Sequence, residues 1–157
     1  MSVESEVSNW KYSHFLKNEK NKYSKNDILT VLPKNEMDEA YKAISRWDDY
    51  YPTPLIALDK LSEKLKLNKI FYKDESKRFH LKSFKALGGA YAVEKVTKEN
   101  KEIVISTATA GNHGRSVAWG SKKLGLKCKI FISEFVSESR AKVMRNFGAD
   151  VIKVKGN

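Results

Sequence analysis

Cysteine is nearly absent from this 157-residue chain; Cys128 is the only one. A single thiol closes no disulfide within the chain, so packing and hydrogen bonds must hold the fold, and a reducing compartment is compatible. Histidine is also scarce. His14 and His80 are isolated and, with one cysteine, match no metal-ligand spacing, so surface or packing roles are expected and no metal site is read. No apolar run approaches bilayer length, and the opening MSVESEVSNW has neither a basic n-region nor an apolar h-region. The expectation is a cytoplasmic protein with no membrane partner. Arginine is rare at five, whereas lysine reaches 25, against 19 acids, for a formal charge of +11. Such a balance invites nucleic acid, because clustered cations gain affinity by neutralising phosphates. Here the lysines are spread along the chain, and no stretch interleaves aromatics with arginines as a base-stacking surface does. A solvated, lysine-rich surface without nucleic acid is the reading.

What is present is length enough for one ordinary domain and an alternation of short apolar runs. Residues 1–36 are polar, with scattered Trp10, Tyr12, Phe15 and Tyr23, and read as a partly ordered arm. A domain is expected over 37–157. Its first helix runs from Met37 to Trp47 and is broken by YYPTPL; Leu58, Leu61 and Leu65 follow at helical spacing. Strands are predicted at 69–75, 102–107, 127–133 and 150–154, with helices at 84–98, 113–124 and 138–147 between them. Gly125 and Gly148 mark helix ends, and Ser137 is a candidate N-cap. Strands separated by helices predict an α/β fold, an open parallel sheet with helices on both faces. Ligands bind such folds at the carboxyl ends of the strands.

Two stretches carry the chemistry. ISTATAGNHGRSVAWG, residues 105–120, places Thr109, Gly111, Asn112 and His113 where a strand hands over to a helix. Backbone N–H groups in such a turn, helped by the helix dipole, can cradle a carboxylate. The glycine spacing matches neither a Walker loop nor a dinucleotide fingerprint, and a plain strand-to-helix connection explains the turn equally well. KRFHLKSFKALGG, residues 77–89, puts Lys85 at the start of a helix, where it can reach the same rim of the sheet. Flanked by Phe84 and Leu87, its ammonium is expected to be desolvated and its pKa lowered toward nucleophilicity. Trp119 reads as core, Arg115 receives no catalytic role, and Asp74 and Glu75, adjacent in a strand, point to opposite faces and share no site.

Together, KDESKRFHLKSFKALGGAYA, STATAGNHGRSVAWGSKKLG and RNFGADVIKV resemble the pyridoxal-phosphate enzymes of the tryptophan-synthase-β type (fold type II), and within them the diaminopropionate ammonia-lyases and serine and threonine dehydratases. The resemblance runs from about Trp47 to the last residue and corresponds to the front portion of a longer family fold. It implies that Lys85 holds pyridoxal 5'-phosphate as a Schiff base and acts as base at the substrate α-carbon. It further implies that Asn112 contacts the cofactor's phenolic oxygen, that Phe84 walls the ring, and that Thr109, Ala110, Gly111 and His113 hold the substrate carboxylate. The implied reaction is α,β-elimination on a small L-amino acid such as 2,3-diaminopropionate, serine or threonine, giving a 2-keto acid and ammonia. Residue 110 departs from the pattern. Relatives carry an acid or a serine there that works on the face opposite the lysine, and alanine takes no proton, so D-substrates should be handled poorly. The family's glycine-rich phosphate loop and the residue facing the pyridine nitrogen belong to its later part and are not found among these residues. The alternative is a non-catalytic member that needs a partner chain or has lost cofactor binding. A homodimer or association with a complementary fragment is the expected assembly.

Overall fold

The structure is a computed structural model and describes residues 24–100, 102–109 and 111–156. The expected anchoring of the arm by Trp10, Tyr12, Phe15 and Tyr23 lies outside the described residues. Contacts divide the chain into two compact units, one ending at Met37 and one beginning at Asp38. In the first unit, helix α1 spans Lys25–Val31. Ser24 starts it with a capping box: its hydroxyl accepts from the Asp27 N–H, and the Asp27 carboxylate accepts from the Ser24 N–H. Helix α2 is Lys34–Ser45.

In the second unit, strand β1 (Leu55–Ala57) leads into helix α3 (Asp59–Lys64) and strand β2 (Phe71–Lys73). β1 and β2 pair antiparallel, with Ile56 opposite Tyr72. This corrects the reading of 69–75 as a strand of the parallel sheet. The run KIFYKDE carries an ordinary strand pattern, and nothing in it names the partner; the short LIA strand after Pro54 takes that role. Helix α4 (Lys85–Val96), strand β3 (Val104–Ala108), helix α5 (Asn112–Lys123), strand β4 (Lys127–Ser133), helix α6 (Glu138–Asn146) and strand β5 (Asp150–Val154) follow. The last three strands form a parallel sheet in the order β3-β4-β5.

Parallel pairing and alternating helices are as expected for an α/β fold; the covering of the sheet differs. Cys128, Ile130 and Ile132 of β4 are buried with Val117 and Ala118 of α5 and Ala141 and Met144 of α6. Their alternates Lys127 and Lys129 are exposed, and Val104, Ser106 and Ala108, on the same face of β3, are exposed too. The helices therefore pack on one face among the described residues. The cause is visible in KCKIFIS, whose first half alternates lysine with apolar residues as a one-sided strand does, in place of the continuous apolar run of a strand buried on both faces.

Helices α4 and α5 approach each other closely. A Cβ on Gly120 would stand 2.8 Å from the Ala90 Cα, and one on Gly89 would stand 2.3 Å from the Ser116 hydroxyl. Contact advances from 116 against 89 to 120 against 90, so the helices run parallel and their amino ends lie together. Because α5 starts where β3 stops, that shared end is the carboxyl edge of the sheet.

Candidate active site

The approach to Lys85 is built by polar and aromatic contacts. Arg78 is 5% exposed. Its Nε and Nη2 donate to the two Glu75 carboxylate oxygens, Nη2 also to the Thr53 hydroxyl at 3.0 Å, and Nη1 to the Tyr51 carbonyl at 2.9 Å. The Thr53 hydroxyl donates in turn to Glu75. The Arg78 hydrogen bond holds the Glu75 carboxyl below its usual value of 4.5, with Thr53 adding to the effect against the opposing penalty of burial. Next in the chain after Arg78, Phe79 stacks on Trp119 with centroids 4.8 Å apart and tilts against Trp47 at 5.8 Å. Phe79, His80 and Lys82 all have positive φ, at 45°, 58° and 55°, a conformation disfavoured for non-glycine residues. The surrounding contacts hold the chain in this turn, which ends at buried Ser83.

Lys85 then opens α4. Its N–H, one of the donors that a helix start leaves without an intrahelical acceptor, donates to the Ser83 hydroxyl at 3.2 Å. Its carbonyl accepts from the Ser116 hydroxyl of α5 at 2.6 Å. Two buried serines thus grip the backbone of the lysine, while its side chain is exposed and has no carboxylate partner among the described residues. The desolvation expected around Lys85 is accordingly absent: Phe84 is 63% exposed, and the apolar neighbours that bury this segment are Phe79, Leu81 and Ala86. Phe84 therefore packs against no core cluster within the described residues. The helical turn directs it outward and leaves Leu81 and Ala86 facing in.

Of the loop residues, Gly111 occupies the N-cap of α5 without a side-chain cap, which leaves the first N–H groups of that helix open. Asn112 is exposed, and its Oδ1 accepts from Arg115 at 3.4 Å. Gly111, Asn112, Arg115, Arg140 and Met144 line an open cavity of about 290 Å³. Thr109 sits at the end of β3, its N–H donating to the Phe131 carbonyl, its methyl packed where a Cβ on Gly114 would fall. A second cavity of about 230 Å³ runs over the carboxyl ends of the three strands beside Thr109, Ser133 and Gly156. Lys85 lines neither cavity. His113 is exposed, and Ala110 lies outside the described residues. Asp74 and Glu75 keep separate partners, Ser76 for the first and Arg78 with Thr53 for the second. Trp119 packs with the core as expected.

The sequence reading missed Arg78, Ser83 and Ser116. Ser116 and Gly120, four residues apart, are small residues on one helical face, and that spacing signals a close helix contact. For Arg78 the only local sign is Glu75 three residues earlier; its partners at 51 and 53 lie far away in the chain.

Lys85 at the start of α4 and the uncapped start of α5 thus lie at the same end of the two packed helices. The family model described as pyridoxal-phosphate dependent enzyme matches residues 46–157, and the chain belongs to that family. It is similar to the diaminopropionate ammonia-lyase of Escherichia coli K12, 33% identical over 150 residues, covering 84% of this chain and 38% of the relative. The biosynthetic L-threonine dehydratase of Salmonella typhimurium is 39% identical over 128 residues, covering 79% and 24%. Among solved structures, the E. coli diaminopropionate ammonia-lyase in complex with an aminoacrylate-PLP azomethine reaction intermediate superposes with a TM-score of 0.73 at 36% identity, covering 79% of this chain and 35% of that one. The chain thus spans little more than a third of the length of the ammonia-lyases it matches. Among the described residues no helix is long and apolar enough to cross a membrane, and no group of residues could hold a metal ion.

Proposed function

We propose that this chain carries the lysine and loop portion of a pyridoxal-phosphate site for α,β-elimination on a small L-amino acid with a β-leaving group, such as 2,3-diaminopropionate, serine or threonine. The observation that carries the reading is the 2.6 Å hydrogen bond from Ser116 to the Lys85 carbonyl, which holds the amine-bearing turn against the helix that starts at Asn112. An exposed amine without a carboxylate partner fits a cofactor aldehyde, and Lys85 and Asn112 are the residues that would hold the group. The cofactor, when bound, supplies an electron sink for a carbanion at the substrate α-carbon. Lys85 takes the α-proton on its side chain nitrogen. The open N–H groups following Gly111, with Thr109 and His113, orient the substrate carboxylate. An alanine at 110 offers no base on the opposite face, which makes D-substrates poor ones for the site. The phosphate cradle and the partner of the pyridine nitrogen would come from a further polypeptide segment, in the same chain or in a complementary or second copy.

The test adds pyridoxal phosphate to the purified chain, reduces with borohydride and maps modified lysines by peptide mass spectrometry. The expected result is modification at Lys85 several-fold above the average of the other 24 lysines. Uniform modification across the lysines would overturn the reading. It would leave the alternative of a family member that has lost cofactor binding.

A further inference from the structure

We infer that Ser116 is a positioning residue for Lys85, its hydroxyl fixing where the first turn of α4 stands against the amino end of α5. The inference rests on the proposed role of Lys85 and goes beyond it by naming a residue outside the loop at 109–113 and the turn that carries the lysine.

Ser116 is 1% exposed, in the middle of α5, at the contact with α4. A buried hydroxyl is unfavourable unless it is hydrogen-bonded. Alanine would be the better helix former at this position and would fill nearly the same volume. A serine inside a helix ordinarily bonds back to a carbonyl one turn earlier in its own helix. Ser116 instead donates across the interface, to the one carbonyl that belongs to Lys85. That carbonyl has two lone pairs, so it accepts this bond in addition to its intrahelical one.

Position matters as much as partner. Gly89 has no side chain where Ser116 arrives, since a Cβ there would stand 2.3 Å from the hydroxyl, so the serine lies close against the α4 backbone. Ser116 is four residues from Asn112, one helical turn, or roughly 6 Å along the axis. Ser83 secures the N–H of Lys85 from the preceding turn, and Ser116 secures its carbonyl from the neighbouring helix. The first bond is local in sequence; only the second links the lysine to the helix that carries Asn112. Loss of the second should therefore loosen the placement of the amine relative to α5 while leaving the fold of either helix intact.

The labelling experiment with pyridoxal phosphate and borohydride reads this directly, with the other lysines as internal references. The variants are Ser116→Ala and, as a control, Ser62→Ala. Ser62 is also buried, 5% exposed, and bonds the Leu58 carbonyl and Ile70 N–H far from Lys85 in the chain. Expected is a fall of about five-fold in the ratio of Lys85 to reference labelling for Ser116→Ala, the weight of one neutral hydrogen bond, and an unchanged ratio for Ser62→Ala. Ser116→Cys, similar in size with a weak donor, should restore part of the ratio. A wild-type ratio in Ser116→Ala, or an equal fall in Ser62→Ala, overturns the inference while the role of Lys85 stands. Absence of preferential Lys85 labelling in the wild type overturns the role itself.

Discussion

Different forces hold the stretch from Tyr51 to Ser83 and the described residues of the stretch from Val104 to Val154. The second is an apolar sandwich. Ile130, Ile132, Ala141 and Met144 are at most 2% exposed, and helices α5 and α6 close over one face of a regular parallel sheet. The first has an exposed two-stranded ribbon, and its fixed points are a buried arginine, its glutamate and a cluster of rings. Burial of apolar area is non-directional and tolerates small shifts. Hydrogen bonds from a guanidinium are directional, and breaking one partner strands a charge. The turn that delivers Lys85 thus depends on directional contacts, and the sheet that carries the loop depends on bulk packing.

Breaking the directional half should give the largest effect. Arg78→Ala removes hydrogen bonds to Tyr51, Thr53 and Glu75 at once and leaves Glu75 without its cation, an expected loss of about 3 kcal/mol in denaturant unfolding. The same network sets an acid dependence. Because the folded Glu75 carboxyl titrates below 4.5, its contribution is complete above that value and disappears as pH falls through the lowered one. The loss of stability from 4.5 downward should therefore be shallower in Arg78→Ala than in wild type, and equal slopes would disprove this account. In the apolar half, Ile130→Val should cost about 1 kcal/mol by the same measurement, without altering the acid slope or Lys85 labelling. The smallest effect should be a gain. Helices α3, α5 and α6 end in the same motif, with Gly125 (φ 69°) and Gly148 (φ 82°) closing two of them and Lys66 (φ 54°) closing α3. Left-handed strain of about 1–2 kcal/mol for lysine, less the roughly 0.5–1 kcal/mol of extra chain entropy that glycine loses on folding, leaves about 0.5 kcal/mol in favour of Lys66→Gly. A slightly higher melting temperature checks it.

Legibility in the sequence followed the same division. Strands β4 and β5 match their predicted bounds, and α5 and α6 lie within a residue of theirs, because period-two and helical patterns bounded by Gly125 and Gly148 are local signals. The pairing of β1 with β2 was not legible, since a three-residue strand has too few residues to show a period. Nor was the arginine network, whose members lie 22 to 27 positions apart except for Glu75 with Arg78. Lys85 and the loop at 109–113 stood out as motifs. The exposure of Phe84 did not, because an aromatic ring beside a helix start carries no local sign of which way it will face.

By itself the sequence determined the parallel α/β succession and the family membership, and it singled out Lys85 as the lysine to test, all of which depend on residue order and local period. Tertiary structure alone decided that Lys85 is exposed, that its carbonyl meets Ser116, and that α5 and α6 share one face of the sheet among the described residues. Each of these depends on which distant segments are brought within a few ångströms. A pattern read along one dimension holds no record of that distance.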